Sequence, residues 1–235
     1  MYSKITSFFS SSVQIFYPEV CIGCGKAGHY KGLEICLVCK SGLPRLHMDV
    51  SQENPVNKVF YGRVSLKFAH SFLHYNKGGV VKSMIHDLKY GNRPMVGKYL
   101  GKLYALELRE RNNLNFENAV LAPVPLHPEK FARRGYNQSE EIAKGVSEVF
   151  NLKVINSLIK RTHNNSSQTT MNRMQRVHNA QSLFQINVLN QKIPKDIILI
   201  DDVITTGSTI EACANAIHAS YPETQVSVMS LAYSD

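Results

Sequence analysis

The chain has 235 residues, 43% of them hydrophobic and 19% charged, a globular composition that excludes disordered and fibrous classes. No apolar run approaches the roughly 20 residues that span a bilayer, which excludes a helical integral membrane protein. Against 18 acidic residues stand 27 basic ones, a net charge of +9, so anionic partners are expected: phosphates, nucleic acid or a membrane surface.

The charge is uneven. Residues 1–81 carry 9 basic and 4 acidic side chains, residues 82–176 carry 16 and 8, and residues 177–235 carry 2 and 6. A basic middle facing an acidic C-terminal segment suggests an anion site where they meet; a solvated basic surface is the alternative. At the N-terminus, Ser and Gln interrupt the apolar residues and no A-x-A cleavage site follows. An amphipathic helix from Ile5 to Phe16 is expected, packed on the domain in preference to attachment at a membrane surface, and a cytoplasmic location with it.

Four of the five cysteines form two C-x-x-C pairs, Cys21 with Cys24 and Cys36 with Cys39. This is the spacing of a four-cysteine zinc knuckle, in which Zn²⁺ stabilises a segment too small for its own core. Four thiolates leave no open position, so the site is structural. Disulfides or a redox pair fit a cytoplasmic chain less well. Gly23 to Gly28 spells G-x-G-x-x-G, but inside the knuckle it cannot join a strand to a helix. Cys213 is expected in the core.

Residues 66–118 fit a helix-rich connection between the zinc segment and the core. Val80, Val81, Met84, Ile85 and Leu88 recur at helical spacing, with Gly91 near the C-cap. Lys89 either faces a bound anion or lies exposed at the helix end. Leu100, Leu103, Tyr104 and Leu106 mark a second helix. Val120–Leu126 reads as a buried strand broken by Pro123 and Pro125. A turn with Arg133, Arg134 and Gly135 follows, suited to pyrophosphate because guanidinium forks match phosphate oxygens. The next helix, Glu140 to Phe150, is expected to be capped near Ser139.

A short strand near Val154–Ile155 precedes residues 161–179, a long polar segment without acidic residues that reads as an active-site lid or a linker. Met171, Met174 and His178 suggest that its second half is helical. Ile197–Ile200 reads as a buried parallel strand ending in Asp201-Asp202-Val203-Ile204-Thr205-Thr206-Gly207-Ser208-Thr209, with a helix from Ile210 to Ile217. Thr205 to Thr209 can wrap a phosphate with N–H groups and hydroxyls at a helix N-terminus. Two carboxylates at the strand end suit ribose hydroxyls, or Mg²⁺ bound to them.

Asp201 through Thr209 closely resembles the phosphoribosyl pyrophosphate (PRPP) loop of type I phosphoribosyltransferases. The resemblance implies that Asp201 and Asp202 contact the ribose and that Thr205, Thr206, Gly207, Ser208 and Thr209 hold the 5′-phosphate. Nearly the whole chain is similar to the ComF family, phosphoribosyltransferase-like proteins with an N-terminal zinc segment that are associated with competence and DNA uptake. Four further blocks carry the match: Phe16-Tyr17-Pro18 before the knuckle; Tyr75 through Lys89-Tyr90-Gly91; Pro123-Val124-Pro125-Leu126 to Arg134-Gly135-Tyr136-Asn137-Gln138; and Arg161 with Gln168, Arg176, Asn179 and Phe184. One departure is the single four-cysteine site, where some relatives carry a second metal-binding pair.

The resemblance implies an α/β fold, a parallel sheet with flanking helices preceded by the small zinc knuckle. Residues 1–60 would form the N-terminal helix and zinc segment, and residues 61–235 the phosphoribosyltransferase-like domain. Arg134 would act on substrate beside Asp201 and Asp202. Arg133 and Lys89 would join in PRPP binding, and Arg161, Gln168 and Arg176 would belong to the lid. Zn²⁺ would be structural and Mg²⁺ would arrive with PRPP. Two functions stay open: transfer of phosphoribosyl to an acceptor the sequence does not name, or a non-catalytic competence factor that binds single-stranded DNA and assists a helicase. The low aromatic content, 9% without Trp, weakens a stacking-based reader of single strands.

Overall fold

A computed structural model describes residues 20–28, 34–50, 54–76, 79–112, 116, 118–162, 183–187 and 194–234. The helix expected from Ile5 to Phe16 and residues 163–179, with Gln168 and Arg176, lie outside them. In chain order the strands are β1 (Phe68–His74), β2 (Ala119–Pro123), β3 (Lys153–Val154), β4 (Ile159–Arg161), β5 (Phe184–Ile186), β6 (Asp196–Ile204) and β7 (Gln225–Tyr233). The helices are α1 (Leu37–Ser41), α2 (Pro55–Lys58), α3 (Val80–Tyr90), α4 (Pro94–Asn112), α5 (Pro128–Arg134), α6 (Gln138–Phe150) and α7 (Ser208–Ser220).

Five strands form a fully parallel sheet in the order β1-β7-β6-β2-β3, while β4 and β5 pair antiparallel beside it. Both faces of the sheet are covered, which is why β2, β6 and β7 read as nearly continuous apolar runs. The two-residue side-chain period sorts them. Leu121, Ile198, Ile200, Met229 and Leu231 pack with Met84, Leu88, Leu100, Tyr104 and Ile142 of α3, α4 and α6. Val120, Ala122, Ile197, Leu199 and Val228 pack with Ile210, Cys213 and Ile217 of α7 and with Val56 and Phe60 at α2.

Helices α4 and α6 lie so close that a Cβ on Gly145 would stand 2.1 Å from the Lys98 carbonyl oxygen and 2.6 Å from the Lys102 nitrogen. Both are backbone atoms and cannot swing aside. Gly145→Ala is therefore expected to cost about 3 kcal/mol by forcing the helices apart, as overpacking does; urea unfolding would measure it.

The structure departs from the sequence-based expectation at several points. Residues 66–118 hold β1, a full edge strand of the sheet, besides their two helices. Its His70 and Ser71 look like surface residues but are buried and paired: His70 Nδ1 meets the Tyr104 hydroxyl at 2.7 Å, and the Ser71 and Ser230 hydroxyls meet at 2.5 Å. Burial pushes the His70 imidazole down to about 4, so it stays neutral. Arg133 and Arg134 lie not on a turn but in α5, which starts at Pro128 and stops where Gly135 takes φ 78°. The α6 cap is Asn137, whose side chain accepts from the Ser139 N–H, and this frees the Ser139 hydroxyl for other use. Finally, β6 does not end at Ile200: Asp201, Val203 and Ile204 still pair with β7.

Candidate functional site

At the carboxyl ends of β2 and β6, where open α/β sheets bind ligands, lies a cleft of about 580 Å³. Its acidic floor comes from β6: Asp201 and Asp202. Its walls are basic, with Lys82 and Lys89 from α3, Lys130 and Arg134 from α5, and Arg161 from β4. The basic middle of the chain thus faces the acidic C-terminal segment.

The two carboxylates are held differently. Asp201 accepts from the Ser139 hydroxyl at 3.2 Å and from the Asp202 N–H at 2.8 Å. Burial, and after it the charge of Asp202, push its carboxyl up to about 7, against the pull of those donors and of Lys89. The group is packed deep among protein atoms but opens on the cleft on one side, so water tempers this effect. Asp202 is paired with Lys89, Nζ to Oδ1 at 2.9 Å. Lys89 therefore points into the cleft rather than into solvent.

Beyond the strand, Thr205 and Thr209 line the cleft, and Thr206, Gly207 and Ser208 complete the loop that opens α7. Gly207 takes φ 71°, a conformation that favours glycine. No side chain caps α7, so its first N–H groups are available to an anion, with the helix dipole in support.

Opposite this loop, Arg134 donates to Gln138 Oε1 at 2.7 Å, and its guanidinium lies 5.1 Å from the Tyr90 ring centre. The hydrogen bond from Arg134 holds the Tyr90 phenol below its ordinary value. Among the described residues, Arg134 Nε and Gln138 Nε2 are buried donors without a partner. Such donors cost stability unless an acceptor reaches them, and both residues line the cleft. Arg133 is exposed over the same Tyr90 ring, 5.7 Å from its centre, and does not line the cleft.

Several lining residues have no site role assigned from sequence: Lys82, His86, Lys130, Gln138 and Ser139, the last expected only as a helix cap. One signal was present. Lys82, His86 and Lys89 are spaced four and three apart, which puts them on one face of α3.

Away from the cleft, the ligand atoms of Cys21, Cys24, Cys36 and Cys39 all lie within 4.8 Å of one another and could hold a zinc ion. Backbone N–H groups of Gly23 and Cys36 approach Cys21 Sγ at 3.3 Å, and Cys39 N–H approaches Cys36 Sγ at 3.4 Å. Burial raises the Cys21 thiol, but N–H donors from Cys36, Cys24 and Gly23 outweigh it and bring it down to about 6. Burial and the three neighbouring sulfurs push Cys39 up to about 12. Without a cation the cluster therefore cannot hold four thiolates, and a tetrahedral divalent ion is the natural complement to this donor set. The stretch Gly23–Gly28 sits in this knuckle and not between a strand and a helix. No helix among the described residues is long and apolar enough to cross a membrane.

A parallel sheet covered by helices on both faces, with a cleft at its carboxyl edge and a four-cysteine knuckle before it, defines an α/β protein with a metal-suited appendage. The chain is 30% identical over 131 residues to competence protein F of Haemophilus influenzae, which is 54% of this chain and 57% of that protein. To the DNA utilization protein YhgH of Escherichia coli K12 it is 28% identical over 134 residues, 56% of this chain and 58% of that one. The chain thus spans little more than half the length of these two relatives. With competence protein ComFC of Streptococcus pneumoniae the match is 28% over 209 residues, 88% of this chain and 78% of that protein. No family model matches. These relatives, the parallel sheet and the cysteine cluster together support the similarity to the ComF family.

Proposed function

We propose that the cleft binds PRPP as its Mg²⁺ complex and that the protein transfers the phosphoribosyl group to an acceptor. The observation that carries this reading is the arrangement across one cleft: two carboxylates near the carboxyl end of β6, a hydroxyl-rich helix N-terminus on one side, and Arg134 and Gln138, each with an unpartnered buried donor, on the other. Asp201 and Asp202 would accept hydrogen bonds from the ribose hydroxyls. The loop from Thr205 to Thr209 would hold the 5′-phosphate, and Arg134, Lys89 and Arg161 would neutralise the pyrophosphate. In the reaction the C1′–O bond to pyrophosphate breaks, a bond from C1′ to the acceptor forms, and the acceptor gives up its proton. The oxocarbenium-like transition state is stabilised by position and charge, without a covalent nucleophile.

A second reading is favoured by the names of the relatives, which speak of competence and DNA utilization. In it the protein keeps the phosphoribosyltransferase-like fold without the turnover and serves as a cytoplasmic factor that binds single-stranded DNA and passes it to a helicase.

Isothermal titration separates the two. The zinc-loaded protein is expected to bind PRPP with Mg²⁺ at a micromolar dissociation constant, clearly tighter than a mononucleotide. Asp201→Ala with Asp202→Ala should abolish that binding and leave any salt-dependent DNA affinity intact, since DNA affinity rests on the basic groups. No PRPP binding by a folded, zinc-replete protein would sink the transferase reading and leave the DNA factor.

A further inference from the structure

We propose that Arg63, far from the cleft in sequence and outside its lining, is the positioning residue of the phosphate loop; this rests on the reading of that loop given above. Its guanidinium joins three points. Nη1 donates to the Val59 carbonyl at 3.0 Å and to the Thr206 carbonyl at 2.6 Å, Nε donates to Glu211 at 3.1 Å, and Nη2 meets the same Glu211 carboxylate. Thr206 belongs to the loop and Glu211 to the first turn of α7. The fork therefore ties loop and helix to the segment after α2.

The consequence follows from peptide geometry. The peptides are trans, and a trans peptide points its N–H opposite to its C=O. Drawing the Thr206 carbonyl toward Arg63 turns the Gly207 N–H the other way, toward the hollow of the loop where a phosphate oxygen would lie. An untied peptide could flip and present its carbonyl, a negative dipole, to the anion.

The segment that carries Arg63 is itself fixed. A Cβ on Gly207 would stand 2.7 Å from Phe60 Cε1 and 2.8 Å from Val59 Cγ1, so this wall closes on the loop. Asn54 Nδ2 donates to the Ala69 carbonyl at 3.1 Å, and Asn57 Oδ1 accepts from the Ala69 N–H at 2.5 Å. Those bonds anchor the segment to β1. The brace thus runs from the sheet through α2 to the loop, and Arg63 is its last link.

The test is titration of wild type, Arg63→Ala and Arg63→Lys with three probes: PRPP with Mg²⁺, ribose 5-phosphate, and inorganic pyrophosphate with Mg²⁺. Loss of charge-assisted hydrogen bonds predicts that R63A weakens PRPP and ribose 5-phosphate by about tenfold or more. Pyrophosphate, which seats by Arg134 and needs no Gly207 N–H, should be unchanged. R63K keeps the charge but not the fork, and should recover only a small part. Should R63A fail to fold, Glu211→Gln loosens the same fork and carries the test. Wild type that binds PRPP and ribose 5-phosphate while R63A binds them equally would overturn the proposal. Full recovery in R63K, or an equal loss for pyrophosphate, would overturn it too, by showing a field effect. Wild type that binds neither phosphate ester would overturn the loop reading and this proposal with it.

Discussion

Asp201→Asn should abolish PRPP binding and yet make the folded protein more stable, and the gain should grow with pH. The Asp201 carboxyl is raised to about 7 by burial and by Asp202, whereas an unfolded chain returns it to about 3.9. Between those values the native state binds more protons than the unfolded state, so stability falls as pH rises. The penalty is absent below about pH 4 and complete above about pH 7. Three units would correspond to about 4 kcal/mol, and the open side of the carboxyl reduces this to about 2–3 kcal/mol. Asn keeps the shape, and its carbonyl oxygen can still accept from Ser139 and from the Asp202 N–H. Urea unfolding of D201N and wild type should therefore give nearly equal stabilities at about pH 4 and a gap of about 2–3 kcal/mol at about pH 8. A gap that is independent of pH, or larger in acid, would show that Asp201 is not held protonated. Ligand binding should move oppositely: wild-type affinity for PRPP should rise through neutrality as Asp201 ionises, while D201N stays weak throughout.

Such a tension between stability and function explains why this part of the chain was readable. Adjacent carboxylates at the end of an apolar run are unfavourable in a folding element, so their presence pointed to a ligand. The Cys pairs were readable for a similar reason, since few chemistries need that spacing. Less legible was anything fixed by partners distant in the chain. His70 and Ser71 hid an edge strand because their acceptability inside depends on Tyr104 and Ser230, 34 and 159 residues away. Ser139 looked like a cap, since a serine after a glycine-containing loop usually is one. Only Asn137 taking the cap sends that hydroxyl to Asp201. Arg63 lies 143 residues from the carbonyl it holds, and no local pattern encodes that contact. The walls of the cleft come from α3, α5 and β4, which topology alone brings to the end of β6.

The knuckle provides the second large effect, because it is built into the same core as the cleft. Cys21, Ile22 and Ile35 are buried in one cluster with Val81, Met84, Ile85 and Leu88 of α3, and Arg93 joins Glu34 at 3.3 Å to Asp87 at 3.4 Å. The adjoining face of α3 presents Lys82, His86 and Lys89 to the cleft. Where these cysteines hold zinc, removing it with a chelator, or replacing Cys36 with Ser, takes away the ion that ties the four sulfurs together, and the knuckle should open. Structural zinc in isolated finger peptides contributes about 10–16 kcal/mol, more than most domains have in total stability. Here the loss should stay local, because the central sheet has its own two apolar faces. The zinc-free protein should keep its far-ultraviolet circular dichroism, melt about 10 °C lower, lose amide-exchange protection along α3, and bind PRPP about tenfold more weakly as Lys89 drifts from Asp202. Hydrogen exchange decides the matter without recourse to activity. If α3 is as protected without zinc as with it, the knuckle is an appendage and the coupling to the cleft does not exist. If protection falls along α3 and not along β6 or β7, zinc occupancy sets how well the cationic wall of the cleft is formed.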